Sequence, residues 1–294
     1  MKNQTKPIVS DIENACQILS VSGISKIFPG VKALDTVSFD VNAGEVHALV
    51  GENGAGKSTL MKILAGNYHL DGGEIFFQGK EIAPKSPLES KELGILLIHQ
   101  ELSLVPELTV AENIYMGSYP ADFLRQVNYN ELHRNTKRVL EQLGCPFKPG
   151  DRVKNLSIAN QQMVEIGRAL AFNSDLVIFD EPTASLTDRE KTSLFENIKQ
   201  LKANNVGIVY ISHKMDEIFE ISDRITILRD GKAQGVLNTK DTDVDEVTNL
   251  MIGRELDKFF VRAKAKIGKE ILRLEKISID GLLHDISFSI KAGE

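Results

Sequence analysis

Residues 51–58 read Gly-Glu-Asn-Gly-Ala-Gly-Lys-Ser, with Thr59 next, and satisfy the spacing G-x-x-x-x-G-K-[ST]. The chemistry needs these residue types. Gly51, Gly54 and Gly56, with Asn53 and Ala55 between them, let backbone N–H groups curl around an anion. A helix starting near Lys57 turns its positive end toward that anion. The Lys57 ammonium reaches terminal phosphates, and the hydroxyls of Ser58 and Thr59 follow, with Ser58 suited to ligate Mg²⁺. A second group stands at 176–181, Leu-Val-Ile-Phe-Asp-Glu, an apolar run ending in two carboxylates. Asp180 at a strand end suits holding Mg²⁺ through water, and Glu181 beside it can polarise an attacking water. The pair gains its weight from the glycine-rich loop upstream.

The elements needed to position these groups are visible in the patterning. The apolar run 46–50 stops at Gly51 and reads as a buried strand; residues 58–66 have helical spacing and end at Gly66. Strands are expected from Ile18, over 34–41, 74–77, 95–100, 176–179 and 207–212. Helices are expected over 129–144 (closed by Gly144 with Pro146 beyond), from Ser157, and over 189–205. Strands and helices alternating in this way predict an α/β fold with a mostly parallel core sheet, an antiparallel β edge subdomain and a helical subdomain at about 105–172.

Composition narrows the classes. The 35 basic and 41 acidic residues leave a net charge of −6, which argues against non-specific nucleic-acid binding. No run of about 18 apolar residues exists to span a bilayer, and residues 1–20 lack a signal-peptide core, so a cytosolic chain is expected. Cys16 and Cys145 are far apart without metal-ligand spacing and read as inert thiols. The six histidines form no close pair for a metal site.

The last residues carry a repeat. Residues 271–294, ILRLEKISIDGLLHDISFSIKAGE, agree in order with 18–45, ILSVSGISKIFPGVKALDTVSFDVNAGE, across one short gap. The expected organisation is a tail (1–17), a complete module (18–237), a charged linker (238–270) and the start of a second, truncated module (271–294).

The ordered set of motifs resembles the ATPase subunits of ATP-binding cassette (ABC) transporters, a P-loop NTPase fold. Gln100 after the 95–100 strand resembles the family's Q-loop. Residues 156–162, Leu-Ser-Ile-Ala-Asn-Gln-Gln, lie where its LSGGQ signature belongs, with Ile158 and Ala159 replacing glycines. Residues 185–188 resemble its D-loop, His213 its switch histidine, and Phe28 the aromatic ring that stacks on adenine. FPGVKALD, HQELSLVPELTVAENIYMG, LSIANQQMVEIGRAL and DEPTASLTDRE are similar to the monosaccharide importers, whose chains carry two cassettes.

The resemblance implies ATP and Mg²⁺ as cofactors and ATP hydrolysis coupled to uptake of a monosaccharide. It implies a site formed by Phe28, residues 51–59, Gln100, Asp180, Glu181 and His213, with Gln100 also reaching the metal, and with Ser157 serving the ATP of an opposing cassette. The implied partners are an integral membrane sugar permease docking on 105–150, a periplasmic or extracellular sugar-binding protein acting indirectly, and a second cassette. Nucleic acid is not among them. The implied location is the cytoplasmic face of the cell membrane. A binding-only module and a non-transport ABC ATPase stay open as alternatives.

Overall fold

The computed structural model describes residues 17–98, 103–121, 126–172, 174–183, 186–253 and 267–293. In chain order the first unit runs β1 (Gln17–Phe28), β2 (Val31–Asn42), β3 (Val46–Val50), α1 (Lys57–Leu64), β4 (Gly72–Phe77), β5 (Lys80–Ile82), α2 (Pro87–Glu92), β6 (Ile95–Ile98) and α3 (Val110–Ile114). It continues with α4 (Tyr129–Gln142), α5 (Ile158–Ala171), β7 (Leu176–Asp180), α6 (Asp188–Ala203), β8 (Gly207–Ile211), α7 (Met215–Ile221), β9 (Arg224–Arg229), β10 (Lys232–Asn238) and α8 (Val244–Ile252).

Two sheets form. The six-stranded sheet has the order β10-β9-β3-β8-β7-β6, with every neighbouring pair parallel except the antiparallel β9–β10 edge. The four-stranded sheet, β2-β1-β4-β5, is antiparallel throughout. β3 and β8 are buried along their whole length, as parallel strands covered on both faces must be. Their alternating side chains feed two cores. Val46, Ala48, Val50, Phe179 and Tyr210 pack toward the helical side with Phe195 and Val164. Leu49, Ile178, Val209 and Ile211 pack toward α1 and the antiparallel sheet with Leu60, Leu64, Leu34 and Phe39.

The helix starts follow local chemistry. Ser157 caps α5 by accepting from the Asn160 N–H at 3.3 Å. Thr109 with Glu112, and Thr187 with Glu190, form capping boxes at α3 and α6. One boundary differs from the reading of 238 onward as linker: the compact unit continues to Ile252. Val247 on α8 is fully buried in the core, and Arg229 Nη1 donates to the Leu250 carbonyl at 2.9 Å. The acidic run there decorates the outer face of a packed helix, so charge alone hid the buried stripe.

The second unit holds β11 (Glu270–Ile279) and β12 (Leu283–Lys291), an antiparallel hairpin. It repeats the β1–β2 register pair for pair. Leu272↔Ile290, Leu274↔Phe288 and Ile277↔Ile286 stand where Leu19↔Val41, Val21↔Phe39 and Ile24↔Val37 stand in the first unit. Irregular details repeat as well. The Gly23 N–H donates to Ser38 Oγ at 2.8 Å, as the Lys276 N–H does to Ser287 Oγ at 2.8 Å. Thr36 and Asp285 share a left-handed backbone, φ 55° and 51°. The copy turns directly after the Ile279↔Leu283 pair, so the arm that carries Phe28 and Val31 in the first unit has no counterpart in it.

Candidate functional site

The glycine-rich loop leaves β3 at Gly51 and enters α1 at Lys57. Gly56 caps α1 in the left-handed region, φ 103°, and its bare Cα lies against β2: a Cβ there would stand 2.6 Å from the Ala33 carbonyl oxygen. The Lys57 side chain folds back under the loop, Nζ donating to the Gly51 carbonyl at 2.8 Å and the Glu52 carbonyl at 3.0 Å. Burial pushes the Lys57 ammonium below the usual lysine range, and the Glu181 and Asp180 carboxylates pull it partly back. The loop thus stands curled, with a desolvated cation facing two strand-end carboxylates.

A cavity of about 450 Å³ opens over this loop. Asn53, Gly54, Gly56, Lys57, Ser58, Thr59 and Glu181 line it, and its far wall is Val31, Lys32 and Ala33 of β2 with Asp230 and Gly231 of the β9–β10 turn. That wall was not foreseen from sequence. It arises because the Asp35 N–H donates to the Gly231 carbonyl at 2.7 Å and the Gly231 N–H to the Ala55 carbonyl at 3.2 Å, which stitches three distant segments together. Phe28 is not among the lining residues. Its ring meets Tyr68 edge-on at 5.4 Å, with Lys26 Nζ 5.5 Å from its centre. The arm that carries it is pinned by Asp71, which accepts from the Ile27 N–H at 2.7 Å and Lys26 Nζ at 3.0 Å. Asp71 therefore ties the end of β1 to the segment that leads into β4.

Glu181 follows β7 with a left-handed backbone, φ 48°, an unusual conformation for a non-glycine residue, held by its N–H donating to the Ile211 carbonyl at 3.0 Å. Its carboxylate lies 3.3 Å from His213 Nδ1. Gly51, Glu52, Asn53, Glu181, His213 and Met251 line one further opening, so α8 also reaches the site. Asp180 ends β7 half-buried. Ser157 lies elsewhere: with Asn160, Leu186 and Arg189 it lines a separate cavity of about 210 Å³, and Ile158 beside it is half exposed. Gln100 lies outside the described residues. Ser103, three positions on, is fixed by its N–H and Oγ donating to Glu165 Oε1 at 2.7 and 2.8 Å.

Among the described residues no three His, Cys, Asp or Glu side chains group to hold a metal by themselves. The donors offered are the exposed Ser58 hydroxyl at the start of α1 and the Asp180 carboxylate. Two hard oxygen donors fit Mg²⁺ that takes its remaining ligands from phosphate and water. A nucleoside triphosphate fits the rest of the cleft, with loop N–H groups and Lys57 for its phosphates.

Comparison with known proteins agrees with this arrangement. Residues 34–184 match the ABC transporter family model. The chain is 48% identical over 283 residues to a protein of Agrobacterium fabrum named as ribose/galactose/methyl galactoside import ATP-binding protein 2; the match covers 96% of this chain and 55% of that one. The chain thus spans about half the length of the curated relatives it matches. A nucleotide-free ATP-binding cassette from an ABC transporter aligns at TM-score 0.68 and 28% identity, covering 80% of this chain and 95% of that one. An ATP-binding cassette in its ADP conformation aligns at TM-score 0.68 and 28% identity, covering 84% and 99%. The family match takes in both the glycine-rich loop and the strand-end carboxylates, and the chain belongs to the ABC transporter family.

Proposed function

We propose that this chain binds Mg-ATP at the loop over α1 and hydrolyses it as the ATPase subunit of a monosaccharide importer. The observation that carries the reading is the contact between Glu181 and His213, 3.3 Å apart, at the edge of a cleft whose floor is the desolvated Lys57. Phosphoryl transfer to water needs charge neutralisation and an aligned nucleophile more than covalent chemistry. Lys57 and the loop N–H groups neutralise and orient the phosphates. Ser58 and Asp180, with Gln100 as a further ligand, would hold Mg²⁺, which when bound would supply positive charge to offset that of the phosphates. Glu181 accepts a hydrogen bond from the attacking water and orients it, and His213, beside that carboxylate, donates toward the γ-phosphate.

The base stacks where Val31 and Lys32 meet the arm bearing Phe28. Ser157, at the positive end of α5, serves ATP bound in an opposing cassette. That cassette is either one that begins with the β11–β12 hairpin or a second copy of this chain. The repeated register, hydrogen bonds and left-handed residues support reading the second unit as the start of another cassette. The sugar-import name of the relatives supports a membrane permease as partner. In our reading it docks on the 105–150 region at the cytoplasmic face, Gln100 couples site and permease, and a sugar-binding protein acts through it. No helix among the described residues is long and apolar enough to cross a membrane.

The test is Mg-ATP turnover over a wide range of protein concentration, beside Glu181→Gln. Turnover should rise steeply with concentration, and the variant should lose at least about 100-fold in kcat while still binding ATP. Tight binding with no turnover in the wild type would favour a nucleotide-binding half.

A further inference from the structure

His213 and Glu181 form a contact that their own surroundings do little to hold. The His213 side chain is 60% exposed and Glu181 is joined to it through a single 3.3 Å approach. What fixes the two backbones lies one layer below. Glu217, on the first turn of α7, is fully buried. Its Oε2 accepts from Tyr210 OH at 3.0 Å, Ser212 Oγ at 3.1 Å and Thr183 Oγ1 at 2.7 Å. Its Oε1 takes the same threonine hydroxyl at 2.8 Å and the Lys214 ammonium at 3.2 Å.

Every donor lies within three residues of one of the two site residues. Tyr210 and Ser212 precede His213 and Lys214 follows it; Thr183 comes two residues after Glu181. The network closes on itself. Ser212 Oγ also accepts from the Lys214 N–H at 3.1 Å, which tightens the backbone around His213, and Lys214 Nζ reaches the Thr183 carbonyl at 3.3 Å. On the other side, Gln162 of α5 donates to the Pro182 carbonyl. Burial, and after it the Glu217 carboxylate, push the Tyr210 hydroxyl far above the usual tyrosine range, so it stays a donor at any working pH.

A buried carboxylate is an expensive way to fill a core. Well-packed apolar residues often do as well or better, and one charge left without its partners costs several kcal/mol. Here four donors from two chain segments converge on it, which gives directional geometry that apolar packing lacks.

We propose that Glu217 is a positioning residue for ATP hydrolysis: through Thr183, Ser212 and Lys214 it sets the spacing of Glu181 and His213 without touching nucleotide. The proposal rests on the hydrolysis reading above. It is tested with Glu217→Gln, with Thr183→Val in case the buried change impairs folding, and with the double variant. Each is assayed for kcat, for the Kd of a fluorescent ATP analogue, and for amide hydrogen exchange.

The expected result for Glu217→Gln is a fall of about tenfold or more in kcat with nucleotide Kd held within about twofold, since the loop and Lys57 stand apart from the network. Thr183→Val should fall in the same direction, and the double variant should lose no more than Glu217→Gln alone. Exchange should speed up by about tenfold at 181–183 and 212–214 and stay unchanged at 51–59. Unchanged kcat, kcat and Kd lost together, or additive losses would overturn the proposal. If the wild-type chain does not turn over, the hydrolysis reading fails by itself. The exchange data then decide the structural claim: unchanged protection at both segments overturns it, and loss at both supports it.

Discussion

Two glycines of the same loop should respond to the same substitution by different amounts. Gly56 has φ 103° and Gly54 has φ 86°, so alanine at either is strained by about 1–2 kcal/mol. The difference lies in the space around them. A Cβ on Gly56 would stand 2.6 Å from the Ala33 carbonyl oxygen and 2.7 Å from Leu34 Cδ2, whereas one on Gly54 would meet nothing within 4 Å. The first contact is with backbone, and Leu34 is fully buried, so neither neighbour can swing aside. Relieving them requires α1 and β2 to part by several tenths of an ångström, an overpacking cost of about 1–3 kcal/mol beyond the strain. Gly56→Ala should therefore lose about 2–5 kcal/mol in all, a large share of the stability of an ordinary domain. Gly54→Ala should lose only about 1–2 kcal/mol. Urea unfolding at pH 7 measures both, and binding of a fluorescent ATP analogue reports whether the folded variants keep the cradle. Equal losses in the two variants would refute the argument, because strain alone would then account for both.

Two further outcomes follow from charge and burial. Arg224 holds the Asp40 carboxyl below the usual carboxylate range through paired hydrogen bonds at 2.9 and 3.0 Å, with burial opposing. A lowered folded value means that its contribution is complete above the unfolded value near 3.9 and is lost as pH falls through the folded one. Wild type should thus exceed Asp40→Asn by about 1 kcal/mol at pH 7 in urea unfolding, with the gap closing below about pH 4; a gap independent of pH would contradict the assignment. Burial pushes the Cys145 thiol up to about 12. In a Cys16→Ser background it should react with a disulfide reagent at pH 8 about a thousandfold more slowly than after unfolding in urea, and comparable rates would show that the thiol is not shielded.

The chain by itself disclosed whatever is encoded within a few residues. The loop at 51–58 is legible because curling a backbone around an anion needs glycines, a lysine and a hydroxyl at fixed short offsets. The buried strands β3, β7 and β8 are legible as short apolar runs, and the repeat of 18–45 at 271–294 is legible because both copies keep apolar residues at the same register positions. Only the tertiary structure decided what depends on distant segments meeting. Val31 to Ala33 and Asp230 with Gly231 share one cavity wall although about 200 residues separate them in sequence. Phe28 turns to Tyr68 because Asp71 pins its arm. Val247 carries α8 into the core beneath an acidic surface, and Glu217 gathers four donors under Glu181 and His213. Spacing along the chain specifies backbone conformation locally; the partners of a side chain are specified by which strands pair and which faces close, and no local pattern carries that information.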